Sequence, residues 1–199
     1  MSQPPVAVWV VTDIVTSGAD VRNAREQRHR AQHVKALQSG VLGMLQPAWN
    51  CRTVGDERII ATCNWYQDDE YAEHYLDEIK SQIMAQFDVF AEVRARRGQC
   101  PGCACSVCQN LSNIHLRSAV DVDSSDSIVG RLQALKIPSD DFLLVTDGAI
   151  DALGELENAA FEPLEGIGQF SMFVTPEPKG TYSGFKWALK NWWALKSGH

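Results

Sequence analysis

The sequence predicts an α+β fold, a sandwich of helices on a mainly antiparallel sheet, and three observations predict it. Val6-Ala7-Val8-Trp9-Val10-Val11 and Ile59-Ile60-Ala61 are apolar, β-branched runs of strand length. Two longer stretches repeat apolar residues at helical spacing. Ile114-His115-Leu116-Arg117-Ser118-Ala119-Val120 alternates as a half-buried strand does. The implied order, βααββ followed by αββαβ, groups helices against one sheet.

Taken in turn, residues 6–12 are a buried strand. Residues 21–45 place Val34, Leu37, Val41, Leu42 and Leu45 behind an Arg-rich first half, which predicts one long helix that Pro47 stops. A strand–turn–strand hairpin follows over 51–63, with Gly55 at its tight turn. Tyr71, Tyr75, Leu76, Ile79, Ile83, Met84 and Phe87 recur at helical intervals over 70–89. Residues 91–95 fit a strand and a helix end equally well. After a cysteine-rich segment and the strand at 114–120, a polar loop at 122–127 leads into a helix over 128–135. A strand over 141–146, a helix over 147–156 and a closing hairpin over 161–174 complete the series.

With 199 residues and 45% hydrophobic content, the chain fits one domain with a substantial core. No apolar run reaches transmembrane length, and no basic-then-apolar start precedes a small-residue cleavage site. A net charge of −7 disfavours a general nucleic-acid binder. Six cysteines, mostly in one cluster, argue for metal ligation in a reducing cytoplasm rather than a disulfide framework.

The carboxylates carry the first chemical signal. Asp13 follows the first strand, and Asp56 lies in Arg52-Thr53-Val54-Gly55-Asp56-Glu57 ahead of another. Two strands with carboxylates at neighbouring ends can hold a hard divalent cation whose other ligands are phosphate oxygens. Either residue alone also suits a plainer role, Asp13 as a helix cap and Asp56 as a turn residue. Val15-Thr16-Ser17-Gly18 offers successive backbone N–H groups opening onto a helix, which suits a triphosphate or an ordinary N-cap.

These residues resemble the class III nucleotide cyclases, whose domain opens on a strand ending in Asp-Ile and returns in a hairpin bearing Lys-x-x-Gly-Asp. Here Thr12-Asp13-Ile14 and Arg52-Thr53-Val54-Gly55-Asp56 stand in that order. Ser127-Ile128-Val129-Gly130-Arg131 matches the spacing of the family's Asn-x-x-x-Arg helix, with Ser for Asn. The resemblance covers residues 5–176 and leaves 177–199 as an aromatic and basic tail. It implies that Asp13, Ile14 and Asp56 hold two catalytic Mn²⁺ or Mg²⁺ ions, and that Thr16 and Ser17 face the phosphates. Arg131 would meet the transition-state charge and Ser127 would reach the ribose. It also implies a head-to-tail homodimer with composite sites.

Arg52 stands where purine cyclases place a base-reading Lys. A guanidinium can fork to two carbonyl oxygens, as uracil presents them. With Trp49 and Asn50 beside it, the run looks like the pyrimidine cyclases of bacterial antiphage defence. That likeness implies conversion of UTP to 3′,5′-cyclic UMP and pyrophosphate, with cUMP alerting a separate effector. The alternatives are an adenylate or guanylate cyclase, and a non-catalytic, zinc-stabilised signalling module that kept the fold.

Cys100-Pro101-Gly102-Cys103-Ala104-Cys105-Ser106-Val107-Cys108 is the second signal. Two Cys-x-x-Cys pairs match the chelate loops of tetrahedral zinc, so a structural Zn²⁺ is expected on Cys100, Cys103, Cys105 and Cys108 within a loop spanning 99–109. The spacing is compact, which leaves room for a ligand from elsewhere. His29 and His33 share a helix face at i,i+4; without a third ligand nearby they are expected to face solvent. The tail residues 185–196 combine aromatics with lysines and predict an amphipathic helix packed on the domain or a second subunit. A membrane surface or a nucleic acid is the alternative there.

Overall fold

The computed structural model describes residues 4–16, 23–67, 69–98, 103, 105–122, 141–154, 156, 162–163 and 170–174. The expected helix at 128–135 and the tail at 177–199 lie outside them. Strand β1 (Val6–Thr16) leads to helix α1 (Ala24–Leu45) and the hairpin of β2 (Asn50–Val54) and β3 (Arg58–Trp65). Helix α2 (Ala72–Gly98), the short α3 (Ser106–Gln109) and a 3₁₀ turn at Leu111–Asn113 precede β4 (Ile114–Val122). Strand β5 (Phe142–Thr146), helix α4 (Asp147–Leu153), β6 (Glu162–Pro163) and β7 (Phe170–Val174) follow.

Among the described residues seven strands form one sheet, ordered β2-β3-β1-β4-β5-β7-β6. Every pairing is antiparallel except β4 with β5. The expected α+β class and mainly antiparallel sheet are therefore present, including the closing hairpin. The order needs one correction: among the described residues a single helix, α1, separates β1 from β2. It begins at Ala24 rather than 21 because the Asn23 side chain caps it, accepting from the Arg25 and Glu26 N–H groups. Residues 91–95 are the last turns of α2, which continues to Gly98. Helix α4 stops at Gly154, whose φ of 70° breaks the helical path.

Strand alternation gives the sheet two faces. Val8, Val10 and Ile14 of β1 join Ile59, Ala61, Leu116 and Val120 under α1 and α2 in the main core. Thr12 shares that face and lies in a buried polar knot. Its hydroxyl donates to Gln86 Oε1 (2.8 Å), and Ser118 Oγ donates to the same oxygen (2.9 Å). A satisfied polar group at this depth fixes α2 over β1 and β4 in one register, because sliding would orphan it. The helices approach closely at Gly40, where a Cβ would come within 2.9 Å of Val93 Cγ2.

Candidate active site and metal cluster

The other sheet face carries the candidate chemistry. Asp13 pairs in register with Arg58 on β3 and with Arg117 on β4, so the three side chains form one row across the central strands. Its carboxylate is already engaged. Arg58 Nε donates to Oδ1 (2.5 Å) and Nη2 to Oδ2 (2.7 Å), a bidentate fork with both partners mostly shielded from water. That contact raises the Arg58 pKa, against the opposing effect of burial. Arg58 was not among the expected site residues, because its pairing with Asp13 depends on the β1–β3 register rather than on the hairpin's own turn.

Asp56 sits exposed in the turn between β2 and β3, where Gly55 takes φ 65°. The Ile14 N–H donates to the Glu57 carbonyl (2.7 Å), fastening this turn to β1 next to Asp13. Asp56 therefore directly precedes the backbone that pairs with the Asp13 segment, while the Asp13 side chain itself is held by Arg58. Helix α1 braces the turn from outside: Arg30 pairs with Glu57 (2.5 Å), and Gln38 Nε2 donates to the Gly55 and Arg58 carbonyls, each at 3.5 Å. The expected end of the first strand at residue 12 is corrected: β1 runs on to Thr16, so Asp13 lies within it. Val15 and Thr16, expected in a phosphate loop, are its last residues, with Thr16 half-buried opposite Ile114. Ser17, Ser127 and Arg131 lie outside the described residues.

Arg52 is exposed on the edge strand β2 in register with Ile60, which pairs with Val11, so it occupies the same face as Asp13 one row away. Asn50, also exposed, faces that side by alternation. Trp49 does not join them. It is a core residue, 4% exposed, and its indole N–H donates to Gln82 of α2. The expectation that Trp49 lines a base pocket beside Arg52 is corrected accordingly: with period-two alternation it falls on the helix side of the sheet, and its one donor is already used.

The second cluster lies along α1. His29 Nδ1 stands 3.3 Å from Cys105 Sγ, 3.3 Å from Cys103 Sγ and 3.4 Å from Cys108 Sγ. One ligand atom from each of the four residues falls within 4.8 Å of every other, an arrangement that can hold a metal ion. The expectation of solvent-facing histidines is overturned. His29 is half-buried against the thiols, and His33 is 6% exposed with Nε2 3.2 Å from Cys108 Sγ. Burial, then Arg97 and His29, lowers the His33 pKa.

Around them, Glu26 accepts from Ser106 Oγ (2.9 Å), and Cys105 caps α3 by accepting from the Cys108 N–H (3.5 Å). Contacts with Cys105, first through its backbone, draw the Cys103 pKa below the ordinary thiol value. Burial and then its thiol neighbours push Cys108 up to about 12. Cys100 lies outside the described residues. Cys51 and Cys63 belong to the hairpin instead, and burial pushes them up to about 11 and about 12, out of reach of thiolate chemistry near neutrality.

No family model and no curated protein matches the sequence. Solved structures do match its fold. Adenylate/guanylate cyclase/hydrolase from Silicibacter pomeroyi is similar over 88% of this chain and 100% of its own, at 11% identity and TM-score 0.50. The adenylyl cyclase CyaB from P. aeruginosa is similar over 91% and 99%, at 9% identity and TM-score 0.52. The guanylyl cyclase Cya2 is similar over 90% and 97%, at 10% identity and TM-score 0.52. The chain has the fold of these cyclases. Among the described residues no helix is long and apolar enough to cross a membrane.

Proposed function

We propose that the protein is a nucleotide cyclase that converts UTP to 3′,5′-cyclic UMP and pyrophosphate. One observation carries the reading: the Ile14–Glu57 backbone bond brings Asp13 and Asp56 to one end of the β1–β3 ladder, in a chain with the cyclase fold. Two carboxylates are the hard oxygen donors that Mn²⁺ or Mg²⁺ requires, and the Ile14 carbonyl is a further oxygen at the same strand end. The donor set fits such ions in kind, provided Arg58 yields at least one Asp13 oxygen. Bound there, the ions would neutralise phosphate charge and make the ribose 3′ hydroxyl a better nucleophile.

The chain's own residues would do the rest. Asp13 and Asp56 would hold the cations that bridge to the triphosphate, and Thr16 at the end of β1 with Ser17 after it would offer N–H groups to phosphate oxygens. Arg131 balances charge that grows as the α-phosphate is attacked, while Ser127 orients the ribose. Arg52 directs its fork at the two uracil carbonyls, with Asn50 beside it on the same sheet face. In a head-to-tail homodimer, the carboxylates of one chain would face Arg52, Ser127 and Arg131 of the other. Released cUMP would act on a separate effector in antiphage defence.

A second reading is favoured by the Asp13–Arg58 fork, which occupies the first carboxylate with a fixed cation. A signalling module that kept the fold without its chemistry would be built in that way. Incubation with each of the four nucleoside triphosphates and Mn²⁺, followed by chromatography, separates the readings. Cyclic UMP as the main product supports the proposal. Cyclic AMP or GMP as the main product keeps the cyclase and rejects the pyrimidine assignment, and no cyclic product leaves the module.

A further inference from the structure

We infer that His29, Cys103, Cys105 and Cys108 form a closed, four-coordinate zinc site that clamps the 103–108 segment onto α1, with His33 positioning the Cys108 sulfur. The geometry around His29 carries this. A neutral imidazole nitrogen has one proton or one lone pair, so Nδ1 can serve one hydrogen bond. Here it stands nearly equidistant from three sulfurs, at 3.3, 3.3 and 3.4 Å. No hydrogen-bond pattern satisfies three such contacts, whereas a tetrahedral cation does. With Zn–S near 2.3 Å and Zn–N near 2.0–2.1 Å, the nitrogen–sulfur edges of a tetrahedron are about 3.6 Å long. Three thiolates and one imidazole are also a soft donor set that excludes Mg²⁺ and Mn²⁺.

The surroundings are those of a ligand shell. The Cys108 N–H donates to Cys105 Sγ, and His33 Nε2 lies 3.2 Å from Cys108 Sγ, where its N–H can donate to a thiolate. Such partners orient metal ligands and tune their charge. Glu26, His29 and His33 place successive turns of α1 against the same segment, so the ion would cross-link two parts of the chain separated by 74 residues at His29–Cys103. Four ligands complete the shell, so Cys100 is not required. Assembly releases a proton from each thiol that enters as thiolate, and nothing is oxidised or reduced.

Zinc analysis and X-ray absorption on full-length protein, purified under reducing conditions without chelator, test the site directly. One zinc per chain with three sulfur neighbours and one nitrogen neighbour is expected. Four sulfurs, a bound iron–sulfur cluster, no metal, or a disulfide among these cysteines would each overturn the assignment. Cys100→Ser should keep its zinc and His29→Ala should lose it; the opposite pattern rejects His29 as the fourth ligand. His33→Ala should weaken zinc retention against a competing chelator roughly tenfold to a hundredfold. His33→Gln, which keeps an N–H in reach of the sulfur, should restore most of it. Equal retention in all three proteins would remove His33 from the site. The wild-type spectrum decides the ligand set even where a variant fails to fold.

Discussion

Helix α1 supplies a ligand to one donor cluster and touches only the turn beside the other, and the two clusters differ in nearly every physical respect. On one side, α1 braces the hairpin turn through Arg30 and Glu57, and the donors there are carboxylates, one exposed and one forked by Arg58. On the other, His29, the residue next to Arg30, gathers three thiols within a few ångströms. The thiol cluster is assembled before any ion is considered, and soft ligands release zinc slowly. On the proposed function, the carboxylate pair would exchange a protein cation for ions that arrive with the substrate. Preassembly would then mark a structural site and exchangeability a reactive one.

Variants can break this contrast. The largest expected effect is at Asp56: Asp56→Asn should abolish cyclisation, by a hundredfold or more on the scale of lost metal-assisted catalysis. Because its side chain is exposed, the melting temperature should hardly move. Activity assays beside thermal melts check both halves, and near-wild-type activity with Mn²⁺ present would remove the carboxylate site from catalysis.

Next comes Arg58→Gln, which frees the Asp13 carboxylate. Losing the charge-assisted fork should cost about 1–3 kcal/mol of stability. The Mn²⁺ concentration for half-maximal activity should fall if Arg58 competes with the ion. A rise in that concentration would show instead that Arg58 holds Asp13 in the metal-binding orientation. Arg52→Ala should be milder on fold and sharper on choice, lowering UTP turnover and narrowing the preference over the other nucleotides. Product ratios from mixed nucleotides measure it, and an unchanged ratio would remove Arg52 from base reading. The smallest effect is expected at Trp49→Phe, which loses the bond to Gln82 at a cost of about 1 kcal/mol. Base preference should stay as it was, since Trp49 belongs to the core. Altered product ratios in that variant would restore it to the pocket.

The fold was legible where one residue's environment repeats along the chain. Alternating and β-branched runs located β1, β3 and β4, and apolar spacing located α1 and the first two-thirds of α2. It was less legible where solvent takes over: the last turns of α2 carry Arg94, Arg96 and Arg97, so residues 91–95 lose the apolar period that marks a helix. The turn at Gly55 and Asp56 was legible because a short hairpin carries its register in its own residues, whereas the pairing of β1 with β3 that sets Asp13 against Arg58 is not written in any local motif. Residues that meet through tertiary packing were harder. His29 lies 74 residues before Cys103, and only its i,i+4 spacing from His33 hinted at a ligand. Trp49 was placed on the wrong face because adjacency in sequence was taken for adjacency in space, where a strand turns neighbours apart.

The central claim is that one chain carries a permanent soft-ligand ion and an exchangeable hard-ligand site that runs a cyclisation. Mn²⁺ titrated into zinc-loaded protein with UTP, with cyclic UMP and bound zinc measured on each sample, tests it most directly. The account predicts that product formation rises with Mn²⁺ to saturation while zinc stays at one per chain. Cyclic UMP that fails to appear at any Mn²⁺ concentration, or that tracks the loss of zinc, would contradict it.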